Sequence, residues 1–321
     1  MIPVYNEAEN IVAFIQELSQ TLTKFGIGFE LIAIDDGSKD ESVAMMHDLI
    51  ANYPLTIFQF SRNFGKEAAM TAGLAQAKGD VVLMIDSDFQ HPISLVPTML
   101  TLWQSGYDMV YGVRNRNTES RIKVAFTRLY YWLLKLGSSI EIPMDAGDFR
   151  LMDKKVVAAL NSLPEHNRYM KGLYAWVGFK SIGISFDELP RRAGKTNFNF
   201  FALVKLAIAG ITAFSDVPLK VCMMVGFSIA MISTCYGVYI TFDTLMYGIH
   251  TPGWASLAAG LAFLGGVQLI FIGVLGEYIA RIYNEVKGRP NYIIEHIFSA
   301  NHLLAEGKKV ESIVRPTEPK S

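Results

Sequence analysis

The 321-residue sequence predicts an α/β protein: a mostly parallel sheet with helices on both faces, then an interfacial helix and a C-terminal two-helix transmembrane hairpin. Three observations predict it. From Ile2 to Ile85 short apolar runs alternate with helical stretches of a dozen or so residues, the rhythm of βαβ units, which bind ligands at the carboxyl ends of their strands. Polar clusters stand where those runs stop: Asp35-Asp36-Gly37-Ser38, Ser61-Arg62-Asn63-Phe64-Gly65-Lys66 and Asp86-Ser87-Asp88. Finally, a mean hydropathy of +0.26 is high for a soluble chain, and the excess lies in the last third. There Val221 to Phe242 and Trp254 to Gly276 are uncharged apolar stretches. At ~1.5 Å per residue each passes a hydrocarbon core of ~30 Å.

Composition excludes several classes. Lys and Arg number 29 against 30 Asp and Glu, so no basic field exists to hold a nucleic acid. Neither G-x-x-x-x-G-K-[ST] nor G-x-S-x-G occurs, which argues against a P-loop NTPase and a serine hydrolase. Cys222 and Cys235 lie within one span, ~20 Å apart along a helix and beyond disulfide reach. The six histidines form no metal cluster; His91 is near the acidic motif but is followed by Pro92, and turn or surface roles suit the others. No basic segment precedes an apolar core at the start, so no signal peptide is expected.

Taken in order, Ile2-Pro3-Val4 is the end of a strand whose beginning looks clipped, and Tyr5-Asn6-Glu7 is the loop that leaves it. From Glu7 to Phe25 the residues Ile11, Phe14, Ile15, Leu18 and Leu22 keep helical spacing. Phe29 to Ile34 is the second strand, followed after Asp35-Asp36-Gly37-Ser38 by a charged helix through His47 and Leu49. Leu55 to Phe60 is the third, and an Ala-rich helix follows Lys66. Val81 to Ile85 is the fourth, a buried-strand run that releases Asp86-Ser87-Asp88-Phe89-Gln90. Side chains alternate along an extended chain, so Asp86, Asp88 and Gln90 can share one crevice as an oxygen-rich half-shell. Hard cations such as Mg²⁺ or Mn²⁺ take such ligands and keep positions for substrate phosphates. Asp36 reaches the same sheet edge from another strand, although a helix-capping turn carboxylate accounts for one of Asp35 and Asp36.

At this point a resemblance enters. Pro3-Val4-Tyr5-Asn6-Glu7, Asp35-Asp36-Gly37-Ser38, Asp86-Ser87-Asp88 and Gly147-Asp148-Phe149-Arg150-Leu151 resemble the ordered motifs of the inverting family 2 glycosyltransferases. The likeness runs from Ile2 to about Pro290. With the paired spans it is closest to the polyprenyl-phosphate glycosyltransferases. Arg62-Asn63-Phe64-Gly65-Lys66-Glu67, Met170-Lys171-Gly172 and Gly276-Glu277-Tyr278-Ile279 look most like bactoprenol (undecaprenyl-phosphate) glucosyltransferases. The resemblance implies a GT-A, Rossmann-like catalytic domain over residues 1–197. It implies that Pro3, Tyr5, Glu7, Asp36, Lys66 and Asp86 bind a nucleotide sugar, with Asp36 at the uracil or ribose, and that Asp86, Asp88 and Gln90 hold Mg²⁺ or Mn²⁺ on its diphosphate. Asp88 and Asp148 are then the catalytic candidates. Asp148 stands on the acceptor side, where a phosphate with a second pKa near ~6 needs no strong base.

An anionic acceptor needs cations. Arg114, Arg116, Arg121, Lys123 and Arg128 form a basic cluster between the metal motif and Asp148, and Arg suits bidentate phosphate contacts. The resemblance points to Arg114 and Arg128 as acceptor-phosphate ligands; Arg116, Arg121 and Lys123 fit a solvated helix face or an anionic-lipid contact equally well. Arg191 and Lys195 lie in a basic loop where relatives carry a mobile, phosphate-facing segment, with Asn197 at the usual Lys position.

Residues 198–218 are apolar but carry Lys205 near their middle. A central Lys costs ~2.5–3.5 kcal/mol in a span, so this segment lies along the interface. Transmembrane helices at 221–242 and 254–276 follow, then a juxtamembrane segment and tail at 277–321, disordered after Tyr292. Lys220 precedes the first span and Arg281, Lys287 and Arg289 follow the second, while 243–253 hold no Lys or Arg. The positive-inside rule places the catalytic domain in the cytoplasm, at the inner membrane. Ala255, Ala259, Ala262, Gly266 and Gly273 form a small-residue stripe that serves either packing on the first span or contact between subunits of a homo-oligomer.

The sequence thus reads as a membrane-anchored, metal-dependent inverting transferase that moves a hexose, glucose from UDP-glucose in the first instance, to undecaprenyl phosphate. Mannose, N-acetylglucosamine or an aminoarabinose derivative are alternative sugars. A processive polysaccharide synthase lacks support because no Q-x-x-R-W occurs, and a non-catalytic nucleotide-sensing scaffold would not need Asp86, Asp88 and Asp148.

Overall fold

The computed structural model describes residues 1–115, 146–166, 168–187, 217–247 and 253–300. Strands and helices alternate as the apolar runs require: β1 Ile2–Val4, α1 Ile11–Lys24, β2 Leu31–Asp35, α2 Ser42–Leu49, β3 Leu55–Phe60, α3 Lys66–Gln76 and β4 Val81–Met84. After a short 3-10 turn come α4 Val96–Gln104, β5 Met109–Arg114, β6 Ala146–Asp153, α5 Lys154–Ser162, α6 Met170–Trp176 and β7 Ser181–Phe186. Two long helices, α7 Val217–Tyr247 and α8 Trp254–Lys287, precede β8 Ile294–Ser299.

β1, β2 and β3 pair in parallel, with Val4 opposite Asp35 and Asp35 opposite Gln59. On its other side β1 meets β4: the Met1 amino group donates to Leu83 O at 2.8 Å, and Ile85 N donates to Met1 O at 3.3 Å. Those two bonds join both four-stranded ladders, so the strands lie in the order β8-β3-β2-β1-β4-β6-β5-β7. Only β6 and β8 run against the others among the described residues. The mostly parallel sheet expected from the βαβ rhythm is therefore present.

Alternation along β2 explains the two layers. Leu31 and Ala33 pack with Phe14, Ile15 and Leu18 of α1 and Met46 of α2, whereas Ile32 and Ile34 pack with Ala69, Met70 and Leu74 of α3 and Leu160 of α5. Every β2 position is buried, as befits a strand covered on both faces. Close approach also fixes the loops. A Cβ on Gly37, whose φ is +68°, would stand 2.5 Å from the Arg62 carbonyl carbon, so only Gly lets the β2 and β3 loops touch.

The C-terminal third departs from the sequence reading in three ways. First, the second long helix does not stop at Gly276 but continues to Lys287, where Gly288 takes the left-handed φ of +58° that ends it. Charge marks the edge of an apolar span but does not break a helix, and an Arg281–Glu277 pair at 3.0 Å supports the extra turns. Second, the segment after Tyr292 is not a tail from the outset. Residues 294–299 form β8 on the free edge of β3, with Phe58 opposite Ile297, and Tyr292 stacks on Phe60 at 5.1 Å. Third, of the two uses left open for the small-residue stripe, packing on α7 is not made at Gly266 or Gly273, where a Cβ would meet nothing within 4 Å.

Both helices carry stretches long and apolar enough to cross a membrane, Leu219–Ile240 and Phe263–Lys287, with their side chains exposed. The interfacial segment over 198–216 and the residues after 300 lie outside the described residues.

Candidate active site

Two loops at the carboxyl ends of β1 and β2 are sewn together. Asn6 N donates to Ser38 Oγ at 2.9 Å, Lys39 N to Asn6 Oδ1 at 2.8 Å, Glu7 N to Ser42 Oγ at 2.8 Å and Ala8 N to Asp40 Oδ2 at 3.1 Å. Glu7 also accepts from Asn10 Nδ2 at 2.9 Å, and Pro3 lies in β1 while the Tyr5 side chain is exposed. Asp36 turns to the third loop: its carboxylate accepts the Phe64 amide at 2.7 Å and the Gly65 amide at 2.9 Å. It thus shapes the loop that opens α3, and any contact with a ribose or base must be made beside those bonds.

The Asp86-Ser87-Asp88 motif and Asp148 meet by sheet register. Met84 of β4 faces Arg150 of β6 in an antiparallel pair, so Asp86, two residues on, and Asp148, two residues back, stand at the same mouth of that ladder. Lys66, the first residue of α3, reaches between them. Its Nζ lies 2.8 Å from Asp86 Oδ2 and 2.9 Å from Asp148 Oδ2. Burial opposes the ammonium, but Asp86 and then Asp148 overcome it and hold Lys66 above its ordinary pKa. The Lys66 side chain remains 45% exposed, so water screens part of that gain.

Asp88 is buried, and Gln90 N donates to its Oδ1 at 3.1 Å. Between them Phe89 takes a φ of +60° and sets its ring edge-on to Phe14 at 5.3 Å. A left-handed Phe costs roughly 1–3 kcal/mol, strain of the kind found at functional turns. Among the described residues no three His, Cys, Asp or Glu side chains converge as a complete metal set. The cation beside Asp86 in the structure is the Lys66 ammonium, 2.8 Å from its Oδ2.

Behind Asp148 lie groups with no role in the sequence reading. Burial disfavours the Asp148 charge, yet Lys66, Lys171 and Arg150 hold its carboxyl well below the usual range, so it is ionised. Glu67, beside Lys66, accepts the Met170 amide at 3.0 Å and thereby ties the start of α6 to α3. Burial first and the charge of Asp148 second push its pKa up to about 7. Arg150 is 2% exposed; its Nε donates to Gly147 O at 3.0 Å, and its guanidinium lies over the rings of Tyr174 at 4.1 Å and Tyr111 at 5.1 Å. It pins the peptide just before Asp148. Arg114 ends β5 near enough for its charge to act on His91. Arg128, Arg191 and Lys195 lie outside the described residues.

The structure therefore brings Lys66, Asp86 and Asp148 together, with Asp88 and Gln90 on the turn that follows Asp86 and Arg114 on the strand beside β6. Pro3 lies in β1, and Tyr5, Glu7 and Asp36 belong to the loops that follow β1 and β2. Arg150 could have been suspected as a charge inside an apolar strand, and Glu67 as a carboxylate opening an Ala-rich helix.

The family model "Glycosyl transferase family 2" matches residues 1–160, and "GtrB C-terminal hairpin" matches residues 217–282. The chain is 43% identical over 303 residues to the SfII prophage-derived bactoprenol glucosyl transferase of Shigella flexneri, covering 94% of this chain and 98% of that one. It is 41% identical over 308 residues to an uncharacterized glycosyltransferase of Synechocystis, covering 95% and 97%. A prophage bactoprenol glucosyl transferase homolog of Escherichia coli is 40% identical over 299 residues, covering 92% and 98%.

Proposed function

This chain belongs to glycosyl transferase family 2, and from that premise we propose that it moves glucose from UDP-glucose to undecaprenyl phosphate with inversion at the anomeric carbon. The observation that carries the reading is the Lys66 bridge, which joins a donor-side carboxylate, Asp86, to an acceptor-side carboxylate, Asp148. Names of the relatives support the acceptor and the sugar.

In the proposed reaction an oxygen of the acceptor phosphate bonds to the anomeric carbon as the bond from that carbon to the diphosphate oxygen breaks. The electron pair leaves with UDP. Asp86, Asp88 and Gln90 would hold a Mg²⁺ or Mn²⁺ ion, whose charge would offset the charge growing on the leaving diphosphate. Lys66 stands at the same place and contributes a fixed positive charge. Asp148 is ionised and weakly basic, which suits an acceptor that arrives without a proton to lose. Its task is to orient Lys66. Arg114, at the end of β5, supplies a fork for the acceptor phosphate.

The apolar stretches of α7 and α8 supply the membrane anchor. With Lys220 before them and Arg281, Lys287 and Arg289 after them, the catalytic domain faces the cytoplasm.

The test is an assay of purified protein with undecaprenyl phosphate and a panel of UDP- and GDP-sugars. Lipid-linked glucose formed from UDP-glucose is expected. Preference for another sugar would revise the donor, and no lipid product from any donor would overturn the reading.

A further inference from the structure

His91 is 1% exposed and has no place in the mechanism above. Its ring is stacked on Phe149 at 5.1 Å with 13° between planes, and Phe186 meets it edge-on at 5.8 Å. The ring is thus clamped in orientation. Neither ring nitrogen has a hydrogen-bond partner. Asp86 stands close by: Nδ1 lies 3.8 Å from Oδ2, about 1 Å beyond a normal N–H···O bond. That oxygen is the one Lys66 holds at 2.8 Å. One carboxylate oxygen therefore stands between two donors, a partly exposed lysine on a flexible stem and a buried imidazole on a rigid turn.

A buried imidazole with both nitrogens unbonded is destabilising, and natural sequences keep such groups where another state satisfies them. Neutral or charged, the imidazole carries at least one N–H to give. A divalent cation held by Asp86 and Asp88 would compete with the Lys66 ammonium for the Asp86 carboxylate.

We propose that His91 is a positioning residue for Asp86: when Lys66 releases the carboxylate, the His91 N–H takes it up and holds it in the orientation that binds the divalent cation. Lys66 is then free to meet the diphosphate. The inference rests on the metal-dependent reading of the site.

The test measures Mn²⁺ binding to the full chain in detergent with UDP present, by the loss of the free-Mn²⁺ EPR signal, beside thermal unfolding without metal. His91→Phe keeps the stack on Phe149 and removes the donor. Its Tm should equal or exceed that of the wild type, while its Mn²⁺ dissociation constant rises roughly tenfold or more, the weight of one hydrogen bond to a charged acceptor. His91→Asn, whose amide nitrogen stands near the place of Nδ1, should recover most of the binding. Wild-type affinity in His91→Phe, or equal losses in both variants, would overturn the inference alone. A wild-type chain that takes up no Mn²⁺ with UDP would overturn the metal reading along with it. Should His91→Phe not fold, His91→Asn decides: binding within a few-fold of wild type supports the role, and a tenfold loss refutes it.

Discussion

Lys66 Nζ lies 2.9 Å from Asp148 Oδ2, although the two residues come from different elements, α3 and β6. One ammonium so placed keeps Asp148 ionised and joins it to Asp86 on the turn after β4. Lys66→Met removes that charge and leaves Asp86 and Asp148 facing each other. kcat should fall about 10²- to 10³-fold, the usual cost of losing one preorganised donor, with Tm lowered by only a few degrees. A kcat within threefold of wild type at saturating substrates would remove Lys66 from the chemistry.

Glu67 gives a pH signature. Its folded-state pKa is raised from 4.5 to about 7, so between those values the folded chain keeps a proton that the unfolded chain has lost. Stability from this group is full below ~4.5 and declines as pH rises through ~7. His91, lowered from 6.5, acts in the opposite sense: stability rises with pH up to that value. Glu67→Gln retains the acceptor for the Met170 amide and cancels only the first effect. The Tm difference, variant minus wild type, should therefore grow from pH 5 to pH 8. A flat difference would contradict the raised pKa.

Arg114→Ala should raise the KM for undecaprenyl phosphate ten- to a hundredfold, the worth of a charge-assisted phosphate contact. The KM for UDP-glucose should change little, and Arg114→Lys should recover only part of the loss. Equal rises in both constants would shift the acceptor phosphate to another set of residues.

β8 ties the membrane helices to the catalytic sheet, because Ile297 lies opposite Phe58 on the edge of β3 and packs against the α3 face of the core. Ile297→Asp should lower stability by ~1–3 kcal/mol, seen as a reduced Tm in detergent. An unchanged Tm would mean that β8 is an ornament of the edge.

Much of this was legible in the sequence because the signals are local. Ile11, Phe14, Ile15 and Leu18 repeat at helical spacing, and Asp86-Ser87-Asp88 directly follows an apolar strand, so both the layer order and the acidic crevice could be read from short windows. What escaped depends on distant partners. Asp36 bonds amides 28 and 29 residues away, Glu67 bonds one 103 residues away, and β8 finds β3 only after the chain has passed both long helices. His91 reads only as a histidine near the acidic motif and followed by Pro92, yet Phe149 and Phe186 from β6 and β7 pack on its buried ring. Helix α8 overran its expected end because hydropathy locates a membrane boundary, whereas a helix ends where backbone chemistry ends it, at Gly288.

The central claim, metal-assisted glucosyl transfer at the Asp86–Asp88 turn, is tested most directly by one measurement. Purified wild type and Asp88→Ala are incubated with UDP-[¹⁴C]glucose and undecaprenyl phosphate, with Mn²⁺ or with EDTA, and label in the lipid phase is counted. The account predicts labelled lipid from the wild type with Mn²⁺, and background alone from the EDTA sample and from a folded Asp88→Ala. Undiminished labelling in EDTA, or by Asp88→Ala at low metal, would contradict it.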